Sequence, residues 1–198
     1  MYVGFMAKMT AWERQRAALR EEISAAACAL FVAQGFEATT VDQIVEAVGI
    51  SRRSFFRYFG SKEDVLLGDL AARGDAVARA LSGRSHAEDP WEALRGAMIS
   101  AQPETFNDPV ADLAIARLTH QTPSLRARLF EKRQHWRDAL VPLIAGRLDG
   151  PDPEFTASVI VSAVLSCLDT ASEAWLAANG EADMLELYDR AVATIRAS

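Results

Sequence analysis

Within residues 49–64, GISRRSFFRYFGSKED, three arginines, a lysine, three phenylalanines and a tyrosine share sixteen positions. Closely spaced guanidinium and ammonium groups bind phosphates, and an arginine can also take guanine O6 and N7 with both arms. Stepping the residues by 100° on a helix over 52–59 puts Phe55 and Phe59 on one side, with Arg53 and Arg57 opposite and Ser54 beside them. Arg52 and Phe56 lie on one flank and Tyr58 on the other. A single exposed arginine is usually only solvated surface; the spacing of the whole set points to DNA. Phe55 and Phe59 read as core.

Placement relative to helix ends sharpens this. Arg52 and Arg53 fall in the first turn, where the macrodipole disfavours each cation by about 0.3–1 kcal/mol. Lys62 repeats the pattern in the first turn of the next helix, 62–82. An anion arriving from outside would resolve all three, and a DNA phosphate is such an anion.

The elements that must hold these residues are legible from their stop and start signals. Gly35 reads as a left-handed C-terminal cap with Phe36 folding back on the helix end. Thr40 with Gln43, and Ser61 with Asp64, have capping-box spacing, and Ser51 is a candidate N-cap. Helices 41–48 and 52–59 flank a turn containing Gly49, which can take the positive φ of a sharp corner. These are helix-turn-helix proportions. Phe55 and Phe59 would pack on Leu30, Phe31, Val41, Ile44, Val45 and Val48.

Apolar residues recur at helical spacing along the whole chain with no sustained strand alternation, which predicts an all-α protein of about nine helices. They fall at 11–34, 41–48, 52–59, 62–82, 90–105, 109–120, 123–147, 154–178 and 181–196. Pro142 should kink or break the seventh. The organisation expected is an N-terminal extension and helix-turn-helix domain over 1–64, then a second helical domain over 65–198.

The net charge of −6 resolves along the chain: residues 1–64 hold eight Lys/Arg and eight Asp/Glu, residues 65–198 thirteen and nineteen. A neutral N-terminal part with clustered cations is compatible with DNA, because the local field governs contact. The two cysteines, Cys28 and Cys167, read as core residues, neither a disulfide nor a metal site. No apolar run approaches the roughly 18 residues of a membrane span. The first ten residues lack signal-peptide order, so a cytoplasmic chain with no membrane partner is expected. His86, His120 and His135 have no metal-ligand spacing, and there is no phosphate loop or paired nucleophile and base. Neither an enzyme nor a bound cofactor is expected.

The stretch FVAQGFEATTVDQIVEAVGISRRSFFRYFGSKEDVL, residues 31–66, resembles the N-terminal domain of TetR-family transcriptional regulators. The resemblance implies a homodimer that binds a palindromic double-stranded DNA operator through its N-terminal domains and an inducer through its C-terminal domain. It puts Thr40 at a phosphate, Arg52, Arg53 and Ser54 toward base edges, and Phe56, Tyr58 and Lys62 at phosphates, with Arg57 also facing DNA and Ser51 counted among the DNA-binding residues. Many members have tyrosine where Phe56 stands here; phenylalanine offers packing or a thymine-methyl contact instead.

In the remaining two thirds, helices 154–178 and 181–196 form an antiparallel pair that the resemblance makes the dimer interface. Val159, Ile160, Ala163, Val164, Cys167, Leu168, Ala171 and Trp175 supply its apolar surface. Ser158, Ser162, Ser166, Asp169 and Glu173 form a polar stripe that is either a solvated or close-crossing face or lines a ligand. Trp91, Met98, Phe106, Leu113, His120, Trp136 and Leu140 are candidates for a small-molecule effector pocket, with His120 equally a helix-end cap. HWRDALVPLIAGRL and the WLAANG helix end resemble C-terminal domains that take acyl-CoA-like or other hydrophobic ligands. The expected function is a ligand-responsive repressor, the alternative a DNA-binding dimer without effector.

Overall fold

The computed structural model describes residues 10–101 and 109–197. Among these, nine α-helices and no strand occur: α1 Ala11–Gln34, α2 Val41–Val48, α3 Arg52–Tyr58, α4 Glu63–Ser82, α5 Pro90–Ser100, α6 Pro109–Gln121, α7 Pro123–Ala145, α8 Pro153–Ala177 and α9 Met184–Arg196. The chain divides into two compact units, Met1–Gly68 and Asp69–Ser198, the division falling inside α4.

In the first unit, the ends of the helices are written in side chains. Gly35 adopts φ +87° and closes α1 by a bond from its N–H to the Phe31 carbonyl. Phe36 then returns onto Phe31, ring centres 4.9 Å apart. Thr40 and Gln43 complete the capping box in both directions. Phe31, Phe36, Ile44, Val45, Phe55 and Phe59 close the core of this unit, with Ile23 and Ala27 from α1.

The second unit is a bundle centred on α8. Val77 and Leu81 of α4, Ala93, Leu94 and Ala97 of α5, Trp136, Leu140 and Ile144 of α7 and Tyr188 of α9 converge on its Ala157, Val161, Val164, Cys167 and Ala171. The indole N–H of Trp136 donates to the Leu70 carbonyl at 2.7 Å. Arg147 donates to the carbonyls of Leu81, Arg84 and Ser85, tying the chain after α7 to the last turn of α4 and the residues that follow it.

Three expectations change. Pro142 does not interrupt α7, which runs on to Ala145 and stops one turn later with Gly146 bonding the Pro142 carbonyl. So near the end, the missing proline N–H costs only the bond to residue 138. α9 begins at Met184, three residues later than expected, because left-handed Asn179 and Gly180 prolong the turn and Asp183 caps the helix. Lastly, α8 contains an 18-residue window of mean hydropathy 1.5 with few charges. Its serines and threonines break any unbroken apolar run, yet by length and average it would pass as a membrane span. Its buried face is the centre of a helical core, a role that needs the same composition.

Candidate nucleic-acid interface

Two caps and one glycine place α3. Gly49 takes φ +73° and its N–H closes α2, while the extended Ser51 accepts a hydrogen bond from the Ser54 N–H at 3.1 Å. Phe55 is fully buried and Phe59 nearly so, their centroids 5.6 Å apart. With that face anchored, Arg52, Arg53, Phe56 and Arg57 are exposed, and Ser54 and Tyr58 half-buried. The structure therefore brings Thr40, Ser51, Arg52, Arg53, Ser54, Phe56, Arg57 and Tyr58 onto or beside the outer side of one short helix-turn-helix.

Their charges are not equally available. Arg52 is bound by both oxygens of Asp42 from α2, at 3.0 and 2.9 Å. Lys62 stands just before α4 rather than within its first turn, and its ammonium donates to the carbonyls of Phe36 and Thr39 at 2.7 and 2.8 Å. The reading of three electrostatically stranded cations is thus corrected. Arg52 has a carboxylate, Lys62 has two carbonyls and one donor to spare, and Arg53 alone of the three lacks a partner among the described residues. Thr40 and Ser51 likewise serve the backbone, as helix caps. Phe56, 48% exposed, meets Phe55 edge-on at 5.3 Å.

Sequence reasoning passed over α1. Its Arg16 lies 6.0 Å from the centre of the Tyr58 ring and 5.5 Å from that of Trp12. The signal was present in the four-residue spacing of Trp12 and Arg16, which puts them on one face of a helix.

The second-unit candidates scatter. Trp136 and Leu140 belong to the core, and Met98 packs against it. Leu113 is half-buried near Gly180 and Trp175. His120 reaches the Ser172 hydroxyl of α8, 3.3 Å away. Phe106 lies outside the described residues. Trp91 alone of the set borders a described cleft, of about 340 Å³ between α5 and α9, with Arg95, Tyr188, Asp189 and Val192. Burial pushes the Tyr188 hydroxyl well above its ordinary pKa. Arg133 of α7 is enclosed against Asp169 at 3.1 Å and the Trp136 ring at 5.0 Å, and desolvation lowers its pKa despite the carboxylate.

The candidates on α8 divide by face. Val164, Cys167 and Ala171 are buried within the single chain and are core, a correction to their reading as interface. Ile160, Ala163, Leu168 and Trp175 are half-buried, and Val159 is 52% exposed beside Phe155 at 67%. In the polar stripe, Ser158 accepts from Arg137 and Asp169 pairs with Arg133, whereas Ser162, Ser166 and Glu173 are exposed.

The same division appears in known proteins. Residues 23–68 match the bacterial regulatory proteins of the tetR family, and residues 88–198 match the MftR C-terminal domain. The regulator TcmR of Streptomyces glaucescens is 35% identical over 141 residues, 68% of this chain and 62% of TcmR, so the match spans under two thirds of that relative. MftR of Mycobacterium tuberculosis, named for mycofactocin biosynthesis, is 29% identical over 163 residues, 82% of each chain. FadR of Thermus thermophilus, a TetR-family repressor crystallised with lauroyl-CoA, superposes with a TM-score of 0.53 at 25% identity, covering 87% of this chain and 91% of FadR. With a helix-turn-helix unit matching one profile and over half its length matching the other, the chain belongs to the TetR family of transcriptional regulators.

Proposed function

We propose that the protein is a homodimeric repressor that binds a palindromic operator and is released by a small hydrophobic or acyl-CoA-like effector. The observation that carries the DNA contact is the outer side of α3: Arg53 and Arg57 stand there without a carboxylate or carbonyl partner among the described residues, on a helix anchored by buried Phe55 and Phe59. Unpaired arginines beside hydroxyls suit base edges and phosphates. The exposed Phe155 and Val159 of α8 support a twofold interface, which a palindrome requires. The lauroyl-CoA bound by FadR supports the effector class. Such work on DNA belongs in the cytoplasm.

Effector and operator then share one equilibrium, so each weakens the other's binding by the same factor. The second reading, a dimer without effector, is favoured by the complete packing of Trp136 and Leu140 in the core. Selection of bound duplexes from a random library tests the DNA reading: a palindromic consensus is expected, and its absence would sink the proposal. Arg53→Ala should relax the base preference within that site. Lauroyl-CoA titrated onto the protein–operator complex separates the two readings, since unchanged operator affinity at saturation leaves only the scaffold.

A further inference from the structure

We infer that Arg16 of α1 joins Tyr58 and Arg57 of α3 in a contact to the sugar-phosphate backbone, extending the DNA surface beyond the helix-turn-helix. This rests on the DNA-binding reading above. The Arg57 guanidinium carbon lies 5.4 Å from the centre of the Tyr58 ring, and the Arg16 carbon lies 6.0 Å from the same centre. Two like charges are therefore gathered on one aromatic side chain. Among the described residues neither has a carboxylate or carbonyl partner, in contrast to Arg52 with Asp42 and Lys62 with its two carbonyls.

A ring face attracts a guanidinium but takes up none of its five N–H donors, which remain in its plane for an acceptor from outside. Arg16 is further restrained by Trp12, 5.5 Å away on its other neighbour, so less rotamer freedom is lost when a ligand arrives. Fixed cations with free donors, beside a phenol hydroxyl and next to the exposed side of α3, match an anion with several acceptor oxygens. A backbone phosphate has that chemistry and carries no sequence information. Arg16 thus supplies affinity and register, while specificity stays with Arg53.

The test measures binding of the full chain to a labelled random-sequence duplex as salt is varied. Arg16→Ala is expected to reduce the slope of log affinity against log salt by about one, so that a fourfold rise in salt weakens the variant about 3.5-fold less than the wild type. Arg16→Lys, which keeps the charge, should recover most of the slope. Tyr58→Leu should lose part of it, and Arg126→Ala, an exposed arginine on α7, none. If Arg16→Ala keeps the wild-type slope while Arg53→Ala and Arg57→Ala lower it, the α1 contact is refuted and the DNA reading stands. If the wild type itself shows no salt-dependent binding, both fall.

Discussion

The ammonium of Lys62 donates to the carbonyl oxygen of Phe36 while standing 4.2 Å from the centre of that residue's ring. With the second bond to Thr39, it ties the start of α4 to the α1–α2 connection. Lys62→Met should remove both charge-assisted bonds and destabilise the first unit by about 2 kcal/mol. Thermal or urea unfolding reads this without DNA. A variant of unchanged stability that only weakens DNA binding would reduce Lys62 to a phosphate contact.

Phe55 and Phe56 are adjacent and of one type, but one is fully buried and the other 48% exposed. Phe55→Ala should cost about 3–5 kcal/mol, enough to unfold the helix-turn-helix. Phe56→Ala should cost under about 1 kcal/mol. Circular dichroism melts of the two variants make the comparison, and similar losses would mean that the edge-on contact between the rings is more than a surface contact.

In the second unit a Cβ at Gly74 would overlap the indole Cδ1 and Nε1 of Trp136. That indole cannot retreat without breaking its bond to Leu70. Gly74→Ala is accordingly expected to destabilise by about 1–3 kcal/mol and to shift tryptophan fluorescence.

Arg95 and Asp189 form two parallel bonds of 2.6 Å between α5 and α9. The arginine holds the Asp189 carboxyl below its ordinary pKa. A depressed carboxylate stabilises the fold above its unfolded pKa, near 3.9, and the benefit fades as pH falls through the folded value. Asp189→Asn should therefore cost about 1 kcal/mol at pH 7, the pair being partly exposed. That difference from the wild type should shrink to nothing in acid denaturation series run below the usual carboxylate range. A difference independent of pH would show that packing, not charge, sustains the contact.

How much was legible depended on whether a residue's local chemistry was enough to place it. Gly35, Thr40, Gly49 and Ser51 each act within four residues of themselves, so the boundaries of α1, α2 and α3 could be read from the sequence to within a residue. The ion pair of Arg52 with Asp42 joins residues ten apart, and the bonds of Lys62 reach back 23 and 26 positions. Nothing in the local pattern distinguishes those cations from Arg53. On α8, small and apolar residues occur on all sides, so hydrophobicity could not separate buried Val164 and Cys167 from exposed Val159. Only the positions of the helices packed against it, α7 and α9 above all, decide that. Asp183 was missed as a cap because the Asn179–Gly180 turn uses more chain than a tight connection needs.

The uneven charge of the two units bears on encounter kinetics. Residues 1–68 are formally neutral and all six net negative charges lie in residues 69–198. On the proposed DNA-binding reading, a duplex would be repelled by the acidic residues 69–198, whereas Arg16, Arg53 and Arg57 would offer it a local sink. On that reading, a protein whose total charge opposes DNA could still search it, because repulsion and attraction are assigned to different lengths of the same chain.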